Sequence, residues 1–115
     1  MKRERLERQA KLLRIFIDEA DYYEGDLLYE AIVKKLRQLD IAGATVSRGL
    51  IGYGAPKRIH HLDSFGHPTE RPIIISIVDT EEKIKRVLPV LDEMVDEALI
   101  VLSDVQIIKY THPQQ

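Results

Sequence analysis

The sequence predicts an α+β fold, with two amphipathic helices lying on one face of a four-stranded antiparallel sheet. Three observations point to it. Apolar and polar residues alternate over residues 12–18. Two later stretches, 28–39 and 84–95, carry apolar residues at helical spacing. Between them stands PIIISIVD, residues 72–79, whose density of β-branched apolar side chains marks an inner strand.

Composition narrows the class. With 115 residues, 44% hydrophobic and 31% charged, the chain is globular and suits one domain with a real core. Seventeen basic against nineteen acidic residues give a net charge of −2, which argues against DNA or RNA as a partner. The absence of cysteine excludes disulfides, thiolate metal sites and a cysteine nucleophile. The opening MKRERLERQAK is too polar for a signal peptide, and no apolar run is long enough to insert into a membrane. A cytoplasmic location is expected.

Residues 1–10 read as a charged N-terminal extension, loose or a short helical turn, ahead of a single domain over residues 11–110 and a polar tail, 111–115. The first strand is expected at 12–18, with Leu13, Ile15 and Ile17 on one face and Arg14, Phe16 and Asp18 on the other. A helix is expected over roughly 25–39, where Leu28, Ile32, Leu36 and Leu39 form a stripe widened by Tyr29 and Val33. Glu24 and Asp26 fall where a helix start favours anions, and Gly43 reads as the stop signal.

The second strand is expected at 44–53 and the third at 72–79. Asp79 with Glu82 then reads as a helix N-cap with its acidic partner. Ile84, Val87, Leu88, Leu91, Met94 and Val95 follow on one stripe. Pro89 lies off the stripe, so one bent helix is expected. A fourth strand is expected at 103–110. The order βαββαβ is the ferredoxin-like arrangement. Its helix-free sheet face would carry Phe16, Leu50 or Ile51, and alternate isoleucines between 73 and 77. An apolar second face of that kind implies a homo-oligomer.

The candidate site is the glycine-rich stretch that ends the second strand, together with the long connection behind it. Gly49, Gly52 and Gly54 follow Arg48 and precede Lys57 and Arg58. Glycine backbone could approach an anion closely while the basic side chains pair with phosphate. The spacing matches neither a Walker motif nor a dinucleotide fingerprint, and no helix opens here, so bulges in a bent strand are the commoner explanation of the glycines. The 54–70 connection also holds His60, His61, Ser64 and His67. Neighbouring histidines on an extended segment point to opposite sides, so no metal site is assigned, although a symmetric oligomer could bring them together. His112 stands apart near the C-terminus. Ser64 between His61 and His67 makes no triad, and the carboxylates of 81–97 read as a solvated helix face. No catalytic residue is assigned and the chain is not expected to be an enzyme. Tyr22, Tyr23 and Tyr53 could stack on a base but more commonly pack at a sheet edge.

Two blocks carry a family resemblance. GATVSRGLIGYG, followed at a few residues by IH, and VDTEEKIKRVLPVLDEMV together resemble the domain-of-unknown-function 190 family, a group of PII-like, nitrogen-regulatory-protein-like trimers. The resemblance spans about residues 10–110. It implies a PII-like trimer that buries the apolar second sheet face. It makes the 54–70 connection the counterpart of the PII T-loop, a segment that changes shape on ligand binding and then contacts a transporter or enzyme. With the resemblance, a small anionic ligand, an adenine nucleotide first among the candidates, is expected in the clefts between subunits, with backbone contacts from Gly49, Gly52 and Gly54, phosphate pairing by Arg48 with Lys57 or Arg58, and His60, His61, Ser64 and His67 facing the partner. No cofactor is implied. Two features of PII proteins are missing. The glycine-rich phosphate loop before the last strand is replaced by ALIVLSD, residues 98–104, and the loop motif carrying the modified tyrosine is absent. A metal-responsive trimer of the divalent-cation-tolerance type, or a small hydrolase, are the alternatives the sequence leaves.

Overall fold

The computed structural model describes residues 9–49 and 72–108, with the backbone of residues 3–5 and 111–113. Four strands form the main sheet: β2 (Gln9–Asp18), β5 (Ala44–Arg48), β6 (Pro72–Asp79) and β7 (Leu99–Gln106), in the antiparallel order β5-β6-β2-β7. Helices α1 (Leu28–Gln38) and α2 (Glu81–Met94) cover one face. Counting only these sheet strands in chain order, the spatial order is second, third, first, fourth, which is the ferredoxin-like arrangement the sequence predicts.

Register decides which side chains meet the helices. Leu13 lies opposite Ile77, Ile15 opposite Ile75 and Ile17 opposite Ile73. These six are buried with Leu28, Ile32 and Leu36 of α1 and Ile84, Val87, Leu91 and Met94 of α2. Each such side chain contributes about 1.5–3 kcal/mol by leaving water. The alternate isoleucines expected on the helix-free face are therefore core residues. The open face instead presents Leu12, Phe16, Ile74 and Val78, joined by Leu99 and Val101 of β7. Strand period alone cannot say which of two alternating apolar sets faces the helices.

Several boundaries differ from the sequence expectation. Residues 3–5, expected to be loose or helical, form the short strand β1 (Arg3–Arg5), which pairs with β8 (Thr111–Pro113) from the expected polar tail. The last sheet strand is β7 over Leu99–Gln106, where 103–110 was expected. LIVLSDVQ pairs along β2 from Phe16 to Gln9, so 99–104 of the ALIVLSD stretch is strand rather than a counterpart of a phosphate loop.

The helix starts at Leu28, three residues later than expected. Ahead of it lies a hairpin of β3 (Tyr22–Tyr23) and β4 (Asp26–Leu27), turned by Glu24 and Gly25, both with positive φ. Positive φ at both central residues suits the two-residue hairpin turns, and glycine adopts it without strain. Leu27 caps α1 with no side-chain bond. The helix ends before Gly43: Asp40 takes the left-handed position at φ 60°, its N–H donates to Arg37 O, and Ile41 N–H donates to Leu36 O. That is the bonding pattern of a Schellman motif, with Ile41 packed onto the core.

At α2 the N-cap is Thr80, one residue after the expected Asp79; its hydroxyl accepts from Lys83 N–H at 3.4 Å. Asp79, 2% exposed, instead accepts from Ala42 N–H at 2.8 Å and Thr80 N–H at 2.7 Å, tying the exit of α1 to the entry of α2. The helix runs unbroken through Pro89, which lies exposed on its outer side. No described helix is long and apolar enough to cross a membrane.

Candidate functional site

Arg48 is the last residue of β5, paired opposite Ile73. The predicted site therefore begins at an edge-strand terminus, where residues 50–71 depart. Gly49 continues the pairing beyond the strand: its N–H donates to Pro72 O at 2.8 Å. A Cβ at Gly49 would stand 2.6 Å from Pro72 Cγ, well inside contact distance. Glycine is required here by close approach to a proline ring. Since the Gly49 N–H is engaged with Pro72, its contribution is to bring the backbone in close at the base of the segment.

The Arg48 guanidinium is paired. Its Nη2 lies 2.6 Å from Glu19 Oε2, with the side chains 53% and 32% exposed. Register explains the meeting. Arg48 is opposite Ile73, Ile73 is opposite Ile17, and Glu19 lies two residues beyond Ile17. Arg48, Ile73 and Ile17 share the helix-covered side, so Arg48 reaches across the end of β6 to the turn that carries Glu19. Glu19 sits in a turn held by its neighbours. Asp18 Oδ1 accepts from Ala20 N–H at 2.9 Å, Asp21 Oδ2 accepts from Asp18 N–H at 3.1 Å, and Asp21 N–H donates to Asp18 O at 3.1 Å. An ion pair this exposed contributes about 0–1 kcal/mol to stability. It positions two charges more than it holds the fold together.

The other predicted site residues, Gly52, Gly54, Lys57, Arg58, His60, His61, Ser64 and His67, lie outside the described residues, as does Tyr53. The structure thus places Arg48 and Gly49 together at the end of β5 and adds Glu19, which sequence reasoning missed. Its only sequence trace is an acidic residue just past a strand end, a common arrangement. The pairing becomes visible only when strand order brings β2 and β5 to either side of β6.

Two shallow depressions among the described residues lie away from Arg48. One, lined by Asp21, Tyr22, Leu28, Met94, Asp96 and Glu97, is acidic and unsuited to a phosphate. Another runs beside β5, lined by Val33, Leu36, Arg37, Ile41 and the 42–44 segment. Of the tyrosines considered for base stacking, Tyr22 is largely exposed while Tyr23 packs on the core. Loss of hydration, and then the nearby Glu24 and Glu93, push the Tyr23 phenol above its ordinary value. At the far end of the sheet, Lys11 pairs with Asp104 across the β2–β7 ladder and approaches Glu81 at 4.0 Å. Its hydrogen bond to Asp104 raises its pKa. Among the described residues, no three His, Asp or Glu side chains group so as to hold a metal ion.

Solved structures of the same architecture define the class. A putative PII-like signalling protein from Thermus thermophilus matches with a TM-score of 0.59 at 20% identity, over 89% of this chain and 92% of that one. CPII, a nitrogen regulatory PII-like protein from Thiomonas intermedia K12 bound to ADP, AMP and bicarbonate, matches with a TM-score of 0.60 at 18% identity, over 89% and 91%. The fold is PII-like.

Sequence relatives narrow this further. The UPF0166 protein MJ1524 of Methanocaldococcus jannaschii is 41% identical over 102 residues, covering 88% of this chain and 94% of that protein. A UPF0166 protein of Aquifex aeolicus is 38% identical over 100 residues, covering 87% and 94%. The chain belongs to the DUF190 family, described as Uncharacterized ACR, whose model matches residues 10–107.

Proposed function

We propose that this protein is a PII-like regulatory protein that binds an adenine nucleotide in clefts between the subunits of a homotrimer. The observation that carries the reading is Arg48: a half-exposed guanidinium at the end of an edge strand, at the base of the 50–71 segment, in a fold whose solved relative CPII was captured with ADP and AMP. A guanidinium presents a fork of donors suited to phosphate oxygens. Gly49 brings the backbone close to Pro72, and Gly52, Gly54, Lys57 and Arg58 complete the anion site. His60, His61, Ser64 and His67 contact the regulated partner, a transporter or enzyme, when the ligand reshapes the 54–70 segment. The apolar open face, with Phe16, Ile74 and Val101, supports burial against further copies of the chain. The protein acts by binding rather than by turnover, in the cytoplasm.

A thermal-shift screen against ATP, ADP, AMP, 2-oxoglutarate and divalent metals tests this reading. A ligand specific to the folded state stabilises by about 2.7 kcal/mol at a hundredfold excess over Kd. An adenine-nucleotide shift that Arg48→Ala abolishes supports the site. A shift with a divalent metal alone would transfer the assignment to the histidines.

A further inference from the structure

We infer that the Glu19 carboxylate is a built-in competitor for the anionic ligand, occupying the Arg48 guanidinium until a phosphate group displaces it. The inference rests on the reading of Arg48 as a ligand-binding residue and adds to it a means of setting affinity.

Geometry supplies the first argument. Glu19 Oε2 lies 2.6 Å from Arg48 Nη2, a charge-assisted contact distance. A carboxylate and a phosphate oxygen ask for the same in-plane N–H, so both cannot hold that edge of the guanidinium at once. The backbone that carries each partner is held in place. Glu19 lies one residue past β2, in a turn closed by the Asp18 and Asp21 hydrogen bonds, and Arg48 is fixed by the last pair of the β5–β6 ladder. The scaffold therefore brings the two side chains within reach of each other.

Exposure supplies the second. At 53% and 32%, both partners keep access to water. When an anion takes Arg48, Glu19 can be rehydrated, and no unpaired charge is left buried. The exchange is thus reversible. It also favours ligands by charge: a polyphosphate gains more from the guanidinium than a single carboxylate does. Glu19 would then set the concentration at which the protein responds, and ligand binding would release Glu19 at the base of the 50–71 segment.

Calorimetric titration with ATP and with tripolyphosphate tests this on the full chain: wild type, Glu19→Gln, Glu19→Ala, Arg48→Ala and the Glu19→Gln/Arg48→Ala double variant, each with its fold verified by circular dichroism. Both Glu19 variants are expected to bind about two- to fivefold tighter than wild type. That gain is expected to vanish in the Arg48→Ala background, because the competition acts through Arg48 alone. If Arg48→Ala weakens binding while both Glu19 variants bind no tighter than wild type, the competitor is refuted and the site assignment survives. A gain that persists without Arg48 would also refute it, as a general effect of charge. If Arg48→Ala leaves affinity unchanged, or if no form binds either probe, the site assignment itself fails and takes the inference with it.

Discussion

Gly49 and Pro72 meet so closely that a side chain at position 49 has no room: a Cβ there would lie 2.6 Å from Pro72 Cγ, while the Gly49 N–H donates to Pro72 O at 2.8 Å. The close approach fastens the end of β5 to the start of β6 at the base of the 50–71 segment. Gly49→Ala must push the strands apart or distort the ring, and is expected to cost about 1–3 kcal/mol. Urea denaturation checks this. Pro72→Ala in the same chain removes Cγ and should restore much of the loss. If it restores nothing, the cost does not come from this contact.

Asp79 is buried at the junction of the two helices, accepting from the N–H groups of Ala42 and Thr80. Asp79→Ala leaves two donors without partners and is expected to destabilise by about 1–3 kcal/mol. Thr80→Ala removes a single long cap bond of 3.4 Å and is expected to cost about 0.5–1 kcal/mol. The order of the two midpoints in chemical denaturation is the check. A larger loss at Thr80 would contradict the assignment of Asp79 as the tie.

The two faces of β6 should answer differently to truncation. Ile75, completely buried against the helices, is expected to cost about 2–5 kcal/mol when cut to alanine. Ile74 faces the other way, opposite Phe16 and Ser47. Ile74→Asp is expected to leave secondary structure intact and to dissociate the proposed homotrimer, read by light scattering coupled to size-exclusion chromatography. An assembly unchanged by Ile74→Asp would show that the open face is not the subunit interface.

Alkaline pH should destabilise the protein through two groups. Lys11 has its pKa raised above the ordinary 10.5, first by its hydrogen bond to Asp104. Its contribution is complete below 10.5 and is lost as pH rises through the raised folded value. Tyr23 has its pKa raised above 10.0 by loss of hydration. The unfolded phenol ionises first, so stability falls from about pH 10 upward by the same linkage. Thermal midpoints should decline across this range, and less steeply in Tyr23→Phe and in Asp104→Asn than in wild type. Identical slopes in all three would remove both groups from the account.

Much of the fold could be read from particular residues. The stripe Leu28, Ile32, Leu36 and the run Ile84, Val87, Leu91, Met94 are the buried faces of the two helices as observed. Pro72–Asp79 is one of the two inner strands. These elements were legible because periodic burial writes itself into periodic sequence. The end of the chain was harder. LIVLSDVQ and SDVQIIKY are both credible strands, and only pairing with β2 selects the first. The β3–β4 hairpin was hidden because EG followed by DLL also resembles a helix start.

The candidate site was legible by residue type at Arg48 and Gly49, and illegible in its partners. Glycine in a strand shows that something comes close, without naming Pro72. An arginine at a strand end shows a charge, without naming Glu19, 29 positions earlier in the chain. The sequence by itself determined the helices, the inner strand and the class of fold, because those follow from local spacing of apolar residues. Tertiary structure alone decided which isoleucines face the helices, where the last strand pairs, and that Arg48 meets a carboxylate. Those depend on register between strands far apart in sequence, and a one-residue change in register exchanges the two faces of a strand.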